Sequence, residues 1–87
     1  MDGVTEFNFE GILIDTENIK DKLRYMIMKF QHNQGESPKL IVMSFYYKLA
    51  IERFYSLYPY LLDCGELKKF NCINVVSTNK YNILEVY

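Results

Sequence analysis

Near the middle of the chain, Lys39-Leu40-Ile41-Val42-Met43 is apolar from its second residue on, and it is closed by Pro38 on one side and Ser44 on the other. A run this short suits a strand, which takes roughly four to eight residues, better than a helix. Polar residues do not alternate with the apolar ones. It therefore reads as a strand in the middle of a sheet, covered on both faces. The segments flanking it carry a helical period, so the chain is bound to a mixed α and β fold.

Upstream, Ile19, Leu23, Met26, Ile27 and Phe30 recur at the spacing of one helix face. Lys20, Asp21, Lys22, Arg24 and Lys29 occupy the opposite face. Asp15 or Thr16 offers a side-chain oxygen to the free N–H groups of the first turn, and the helix runs to about His32. Glu17 and Asp21 near its start and Lys29 near its end suit the helix dipole. Gly35 and Pro38 stop it. Before the helix, Phe7 to Ile14 reads as one strand, half exposed over Phe7-Asn8-Phe9-Glu10 and buried over Ile12-Leu13-Ile14, with Gly11 as a bulge.

Downstream, Ser44 is expected to cap a second helix from Phe45 to about Tyr58. Leu49, Ala50, Phe54 and Leu57 form its inner face, and Tyr46, Tyr47, Tyr55 and Tyr58 spread around the rest. Tyr58 precedes Pro59, which ends or kinks the helix there and can open a further short turn. Cys64-Gly65 marks a turn. Asn71–Ser77 and Tyr81–Val86 read as strands, joined through Thr78-Asn79-Lys80 as an antiparallel hairpin. The expected order is β-α-β-α-β-β. It forms a single α+β domain over residues 1–87, with a three- to four-stranded sheet and two helices on one face.

Composition narrows the function. A domain this small buries only about 60% of the surface its unfolded chain exposes. The 49% hydrophobic content, with eight Tyr and six Phe, still supplies a core and apolar side chains beyond it. The net charge is −1 and no block of like charges occurs, which disfavours a phosphate-backbone binder. Near-zero charge also favours a homo-oligomer. Cys64 and Cys72 are too few for a disulfide scaffold and, with the lone His32, too few for zinc. They read as free thiols of a cytoplasmic protein. The acidic start, Met1-Asp2-Gly3-Val4-Thr5-Glu6, lacks the apolar core of a leader. The apolar-rich stretch from Phe45 to Leu62 is broken by Lys48, Glu52, Arg53 and Pro59, so no membrane span is expected.

Gly11-Ile12-Leu13-Ile14-Asp15-Thr16-Glu17-Asn18 resembles the first motif of PIN-like nucleases, where an apolar strand ends in Asp with Glu-Asn close behind. The resemblance implies a metal-dependent nuclease using Asp15 and Glu17. The later strands end in Met43-Ser44 and Ser77-Thr78-Asn79, which supply no further carboxylate. Asp15 as a helix cap is the competing reading. No nucleophile elbow, phosphate-binding loop or glycine fingerprint occurs, and His32 stands alone at a helix end. No catalytic residue, metal ligand or cofactor is therefore expected, and the chain reads as a non-enzyme.

The sharpest anomaly is aromatic. Phe45, Tyr46, Tyr47, Phe54, Tyr55, Tyr58 and Tyr60 crowd one stretch, and a helix cannot turn all of them into a small core. Tyrosine is enriched at binding hot spots. Tyr46, Tyr47, Tyr55, Tyr58 and Tyr60 are thus the expected contact surface for a protein partner.

The second half also has a family cadence: Ser37-Pro38-Lys39-Leu40-Ile41-Val42-Met43-Ser44, a helix opening Tyr46-Tyr47-Lys48, then Phe70 to Thr78, then Tyr81 to Val86. It resembles small proteins of tailed phages and prophages, and a strand-helix-strand-hairpin piece of phage major capsid proteins. The chain is far shorter than a capsid subunit, and Phe70-Asn71-Cys72 stands where a Gly is usual before the hairpin. The resemblance implies a phage or mobile-element origin and a non-enzymatic role, and carries over no functional residue; with the aromatic excess, the expected function is that of an accessory protein that binds and inhibits or redirects a host protein. A self-associating assembly protein is the alternative.

Overall fold

The computed structural model describes residues 6–87; residues 1–5, on which the reading of the chain's acidic start rests, and the side chains of Leu57 and Pro59 lie outside the described part. Two helices and two sheets make a small α+β fold. β1 (Glu6–Phe9) and β2 (Ile12–Asp15) form a separate two-stranded sheet. α1 (Thr16–Gln34), β3 (Leu40–Ser44) and α2 (Phe45–Phe54) follow. Two 3₁₀ turns, Tyr55–Leu57 and Pro59–Leu61, lead to β4 (Lys69–Phe70), β5 (Ile73–Thr78) and β6 (Leu84–Val86). The second sheet has the order β4-β5-β3-β6.

The expected first strand over residues 7–14 is a hairpin. Glu10 and Gly11 have φ of 49° and 86°, the left-handed pair that a two-residue type I′ turn requires. Gly11 is thus a turn residue and not a bulge. Phe9 lies opposite Ile12 and Phe7 opposite Ile14. These four side chains pack against the core or within it.

α1 begins and ends as its sequence dictates. The Asp15 carboxylate accepts the Asn18 N–H at 3.3 Å, and the Gly35 N–H donates to the Gln31 carbonyl from a left-handed C-cap. Ile19, Leu23 and Ile27 are buried, with Met26 and Phe30 at the margin. Lys20 departs from the expected polar face and is buried too. Its ammonium lies 4.0 Å from the centre of the Phe54 ring and 5.0 Å from that of Tyr55. The neighbouring helix supplies aromatic faces that hold a cation where a helical wheel would place solvent.

β3 occupies the interior of the larger sheet, but only one of its faces is covered. Ile41 and Met43 point into the core with Ile73, Val75 and Phe70, and both helices close that side. Val42 is half-buried on the opposite face, where Val76 is 45% exposed. Covering both faces of β3 would take helices on both sides of the sheet, and both helices are spent on one.

The last two strands do not form the expected hairpin. β5 runs parallel to β3 and β6 antiparallel to it, on opposite sides. The intervening chain crosses the carboxyl end of β3, where Ser44 anchors it. The Ser44 hydroxyl donates to the Lys80 carbonyl at 2.7 Å and accepts the Ile83 N–H at 2.8 Å. Ser44 therefore ties down the crossover, and its side chain makes no cap bond to α2. The hairpin partner of β5 is the short β4, through a tight turn at Asn71 (φ 50°) and Cys72 (φ 65°).

α2 also buries a different face from the one its leucines suggest. Tyr46, Ala50 and Ile51 are buried, while Leu49 is 41% exposed. The α-helix stops at Phe54, and 3₁₀ turns replace the final expected turn. Pro59 opens the second of these, as its missing N–H allows.

Candidate functional site

The five tyrosines expected to share one contact surface fall into three places. Tyr46 and Tyr47 belong to an aromatic nest at the start of α2. Tyr55 borders the buried Lys20. Tyr58 and Tyr60 stand on the 3₁₀ segment beyond the helix.

Tyr46 is 1% exposed, which removes it from any contact surface. Its ring stacks on Phe9 at 5.8 Å and meets Phe45, Tyr47 and Tyr81 at 5.7, 4.7 and 5.1 Å. Its hydroxyl accepts the Asn82 N–H at 2.8 Å and donates to the Asn82 side-chain carbonyl at 3.1 Å. Both polar ends of a buried tyrosine are thereby satisfied. Asn82 tolerates the left-handed φ of 59° that turns both groups toward Tyr46. Tyr47 is half-buried and also reaches Asn82, at 3.4 Å. Burial, reinforced by the Tyr46 hydroxyl, pushes the Tyr47 phenol above its ordinary pKa.

Tyr55 is half-buried against Phe54 and Lys20. Burial raises its pKa, with the Arg24 cation opposing. The same burial lowers the pKa of Lys20, although Glu17 lies 3.7 Å away and pulls the other way.

Tyr58 and Tyr60 remain exposed, at 46% and 80%, with rings edge-to-face at 6.3 Å. Leu61 beside them is 45% exposed. Tyr60 and Leu61 form one wall of an open cleft of about 310 Å³, whose other wall carries Lys68, Lys69 and Asn74. Asp63 also lines the cleft. Asp63 and Glu66 exchange backbone hydrogen bonds across the turn Cys64-Gly65. Glu66 is tied to Lys48 of α2 at 2.9 Å, and Glu52 accepts the Leu67 N–H at 2.8 Å. α2 thus holds the 63–66 turn and Leu67, which precedes Lys68 of the cleft wall. The sequence signal for this patch was the Tyr58-Pro59-Tyr60 step. α2 has already ended at Phe54 and Pro59 opens the second 3₁₀ turn, so its neighbours have no helix face to bury.

A second open cleft, of about 330 Å³, lies between β2, the start of α1 and the aromatic nest. Asp15, Asn18 and Lys22 line it on one side, and Tyr47 and Asn82 on another. Asp15 serves here as the α1 cap, and Glu17 turns toward Lys20. Among the described residues, no three His, Cys, Asp or Glu side chains gather as they would around a metal ion. Cys64 and Cys72 are exposed and unbridged. Among the described residues, no helix is long and apolar enough to cross a membrane.

Compared with protein-family models, with curated proteins and with solved structures, the chain matches none.

Proposed function

We propose that the chain is a non-catalytic protein-binding module whose contact surface is Tyr58, Tyr60 and Leu61 with the lysine rim of the adjoining cleft. The observation that carries this reading is the exposure of two aromatic rings, packed edge-to-face, and a leucine on the short 3₁₀ segment beyond α2, beside a cleft rimmed by two lysines. Rigid, exposed aromatic side chains with a polar rim make up the centre of many protein interfaces. The pattern-level resemblance of residues 37–87 to phage and prophage proteins extends the proposal. In that setting the module is a phage or mobile-element accessory protein that binds and inhibits or redirects a host protein. Two exposed, unbridged thiols are in keeping with work in the host cytoplasm.

The test is affinity capture from host lysate with the wild type beside a Tyr58→Ala/Tyr60→Ala variant. A stoichiometric host protein lost in the variant supports the proposal. Equal capture by both removes the patch from the interface.

One observation favours a second reading, a self-associating assembly protein. The uncovered face of the larger sheet carries Val76 at 45% exposure beside half-buried Val42 and Leu40. Light scattering across a concentration series, with Val76→Lys as comparison, separates the two. A wild-type monomer at every concentration rules out assembly through that face.

A further inference from the structure

A different part of the molecule carries an interaction that the tyrosine patch does not. β1 and β2 form a sheet of only two strands, so the outer edge of β2 has no strand partner among the described residues. Its register fixes which backbone groups point outward. A two-residue turn closes on a hydrogen-bonded pair, here Phe9 and Ile12. Pairs then alternate along the ladder, so Ile14 bonds to Phe7, and Leu13 turns its N–H and C=O away from β1. Leu13 is 64% exposed, and it lines the 330 Å³ cleft with Ile12, Ile14 and Asp15. The open edge of β2 is thus one wall of a cleft, with α1 and the nest as the others.

The charges along this cleft are ordered. Asp15 lines one end of it, and Glu6 of β1, directly opposite Asp15 in the hairpin, sets a second carboxylate behind it, outside the cleft lining. Like charges in that register repel, and neither has a cation within ion-pair distance among the described residues. Lys22 lines the same cleft, two helical turns on from Asp15, about 10 Å along the helix axis. An extended chain covers that span in about three residues.

We infer that the open edge of β2 takes an extended peptide segment of a partner protein as an added strand. The segment exchanges its backbone N–H and C=O with Leu13. It places a Lys or Arg against Asp15, with Glu6 behind it, and, two or three residues away, an Asp or Glu against Lys22. Backbone pairing supplies the affinity in such an arrangement, and the charges set direction and register. Apolar residues at the intervening positions meet Ile12 and Ile19 in the cleft wall.

The experiment is a nuclear magnetic resonance titration of the isotopically labelled chain. The probes are capped six-residue valine peptides that carry one Lys and one Glu, two or three residues apart and in both orders. Each is run beside a copy N-methylated at the central pairing residue. The expected result is a shift of the Leu13 and Asp15 amides with slowed exchange of the Leu13 N–H, for one charge order and not its reverse. N-methylation abolishes it. Asp15→Asn keeps the helix cap, because Asn caps as well as Asp. It and Lys22→Gln each weaken binding about two- to fivefold, the worth of an exposed ion pair. No shift at Leu13 with any peptide at millimolar concentration overturns the inference. So does binding that survives N-methylation, or shifts confined to Tyr58 and Tyr60.

Discussion

The two ends of the α2 segment receive the same residue type and treat it in opposite ways. Tyr46 is enclosed by Phe9, Phe45, Tyr47 and Tyr81, and its hydroxyl is held by Asn82. Tyr58 and Tyr60 have each other and water. What differs is the supply of partners. At the start of the helix, the β1–β2 hairpin brings a stacking ring and the crossover before β6 brings a polar clamp. Beyond Phe54 the α-helix has ended, and the chain continues in two short 3₁₀ turns, the second opened by Pro59. An excess of tyrosine therefore does not define a surface by itself. Contacts brought from distant sequence decide which rings are structural and which are free.

The sharpest way to break this comparison is paired truncation. Tyr46→Ala should cost about 3–5 kcal/mol in urea unfolding, the range for removing a fully buried aromatic. Tyr60→Ala should stay within about 0.5 kcal/mol. Similar losses for both would mean the two ends are not distinct. Ser44→Ala tests the clamp on the crossover. It removes one hydroxyl bond to Lys80 and leaves the Ile83 N–H without its acceptor, so a loss of about 1–3 kcal/mol is expected by the same measurement.

Between the two ends lies Lys20, which a pH series can isolate. Burial lowers its folded pKa, so the unfolded chain binds that proton more tightly. Wild-type stability then rises as pH climbs from the lowered value toward that of an ordinary lysine, and the gain is missing below this window. Lys20→Met has no such dependence. Its stability relative to wild type should be highest near about pH 7 and should shrink toward about pH 10. The raised tyrosine pKa values of Tyr47 and Tyr55 act the opposite way, but both proteins carry them. A constant difference across the series would mean that Lys20 is hydrated. The smallest effect belongs to the turn before β5. Cys72 holds a φ of 65°, which glycine adopts at little cost. Cys72→Gly should raise the unfolding midpoint by the equivalent of up to about 1 kcal/mol.

Local rules carried much of the fold. The Ile19–Phe30 period, the Asp15 cap and the Gly35 stop describe α1 closely, because each depends on neighbours within a turn or two. The strand at residues 39–43 was equally plain. Pairing was not. Nothing local says that β6 crosses to the far side of β3, since that is set by Ser44 and Tyr46 holding residues 80–83. The β1–β2 hairpin was hidden for a different reason. Its turn, Glu10-Gly11, is a single pair inside an apolar stretch, and the same glycine serves a bulge or a turn. As for the candidate site, Tyr58 and Tyr60 follow from the proline between them. The removal of Tyr46 from the surface depends on Asn82, far along the chain, and no helical wheel contains it.

The position of β3 also has a kinetic consequence. Three two-residue turns, at 10–11, 64–65 and 71–72, bring together residues that are close in sequence. Such closures take microseconds. β3 has no strand partner close in sequence, because β5 and β6 both lie far downstream. Its pairing must await closure of long loops, which slows folding more than it affects stability. The hairpins should therefore be in rapid exchange before the barrier, and the docking of β3 between β5 and β6 should set the rate. Truncations at Ile41 would then slow refolding, and so would destabilising changes at the Glu10-Gly11 turn, because weakening a hairpin that is already formed at the barrier lowers the folding rate.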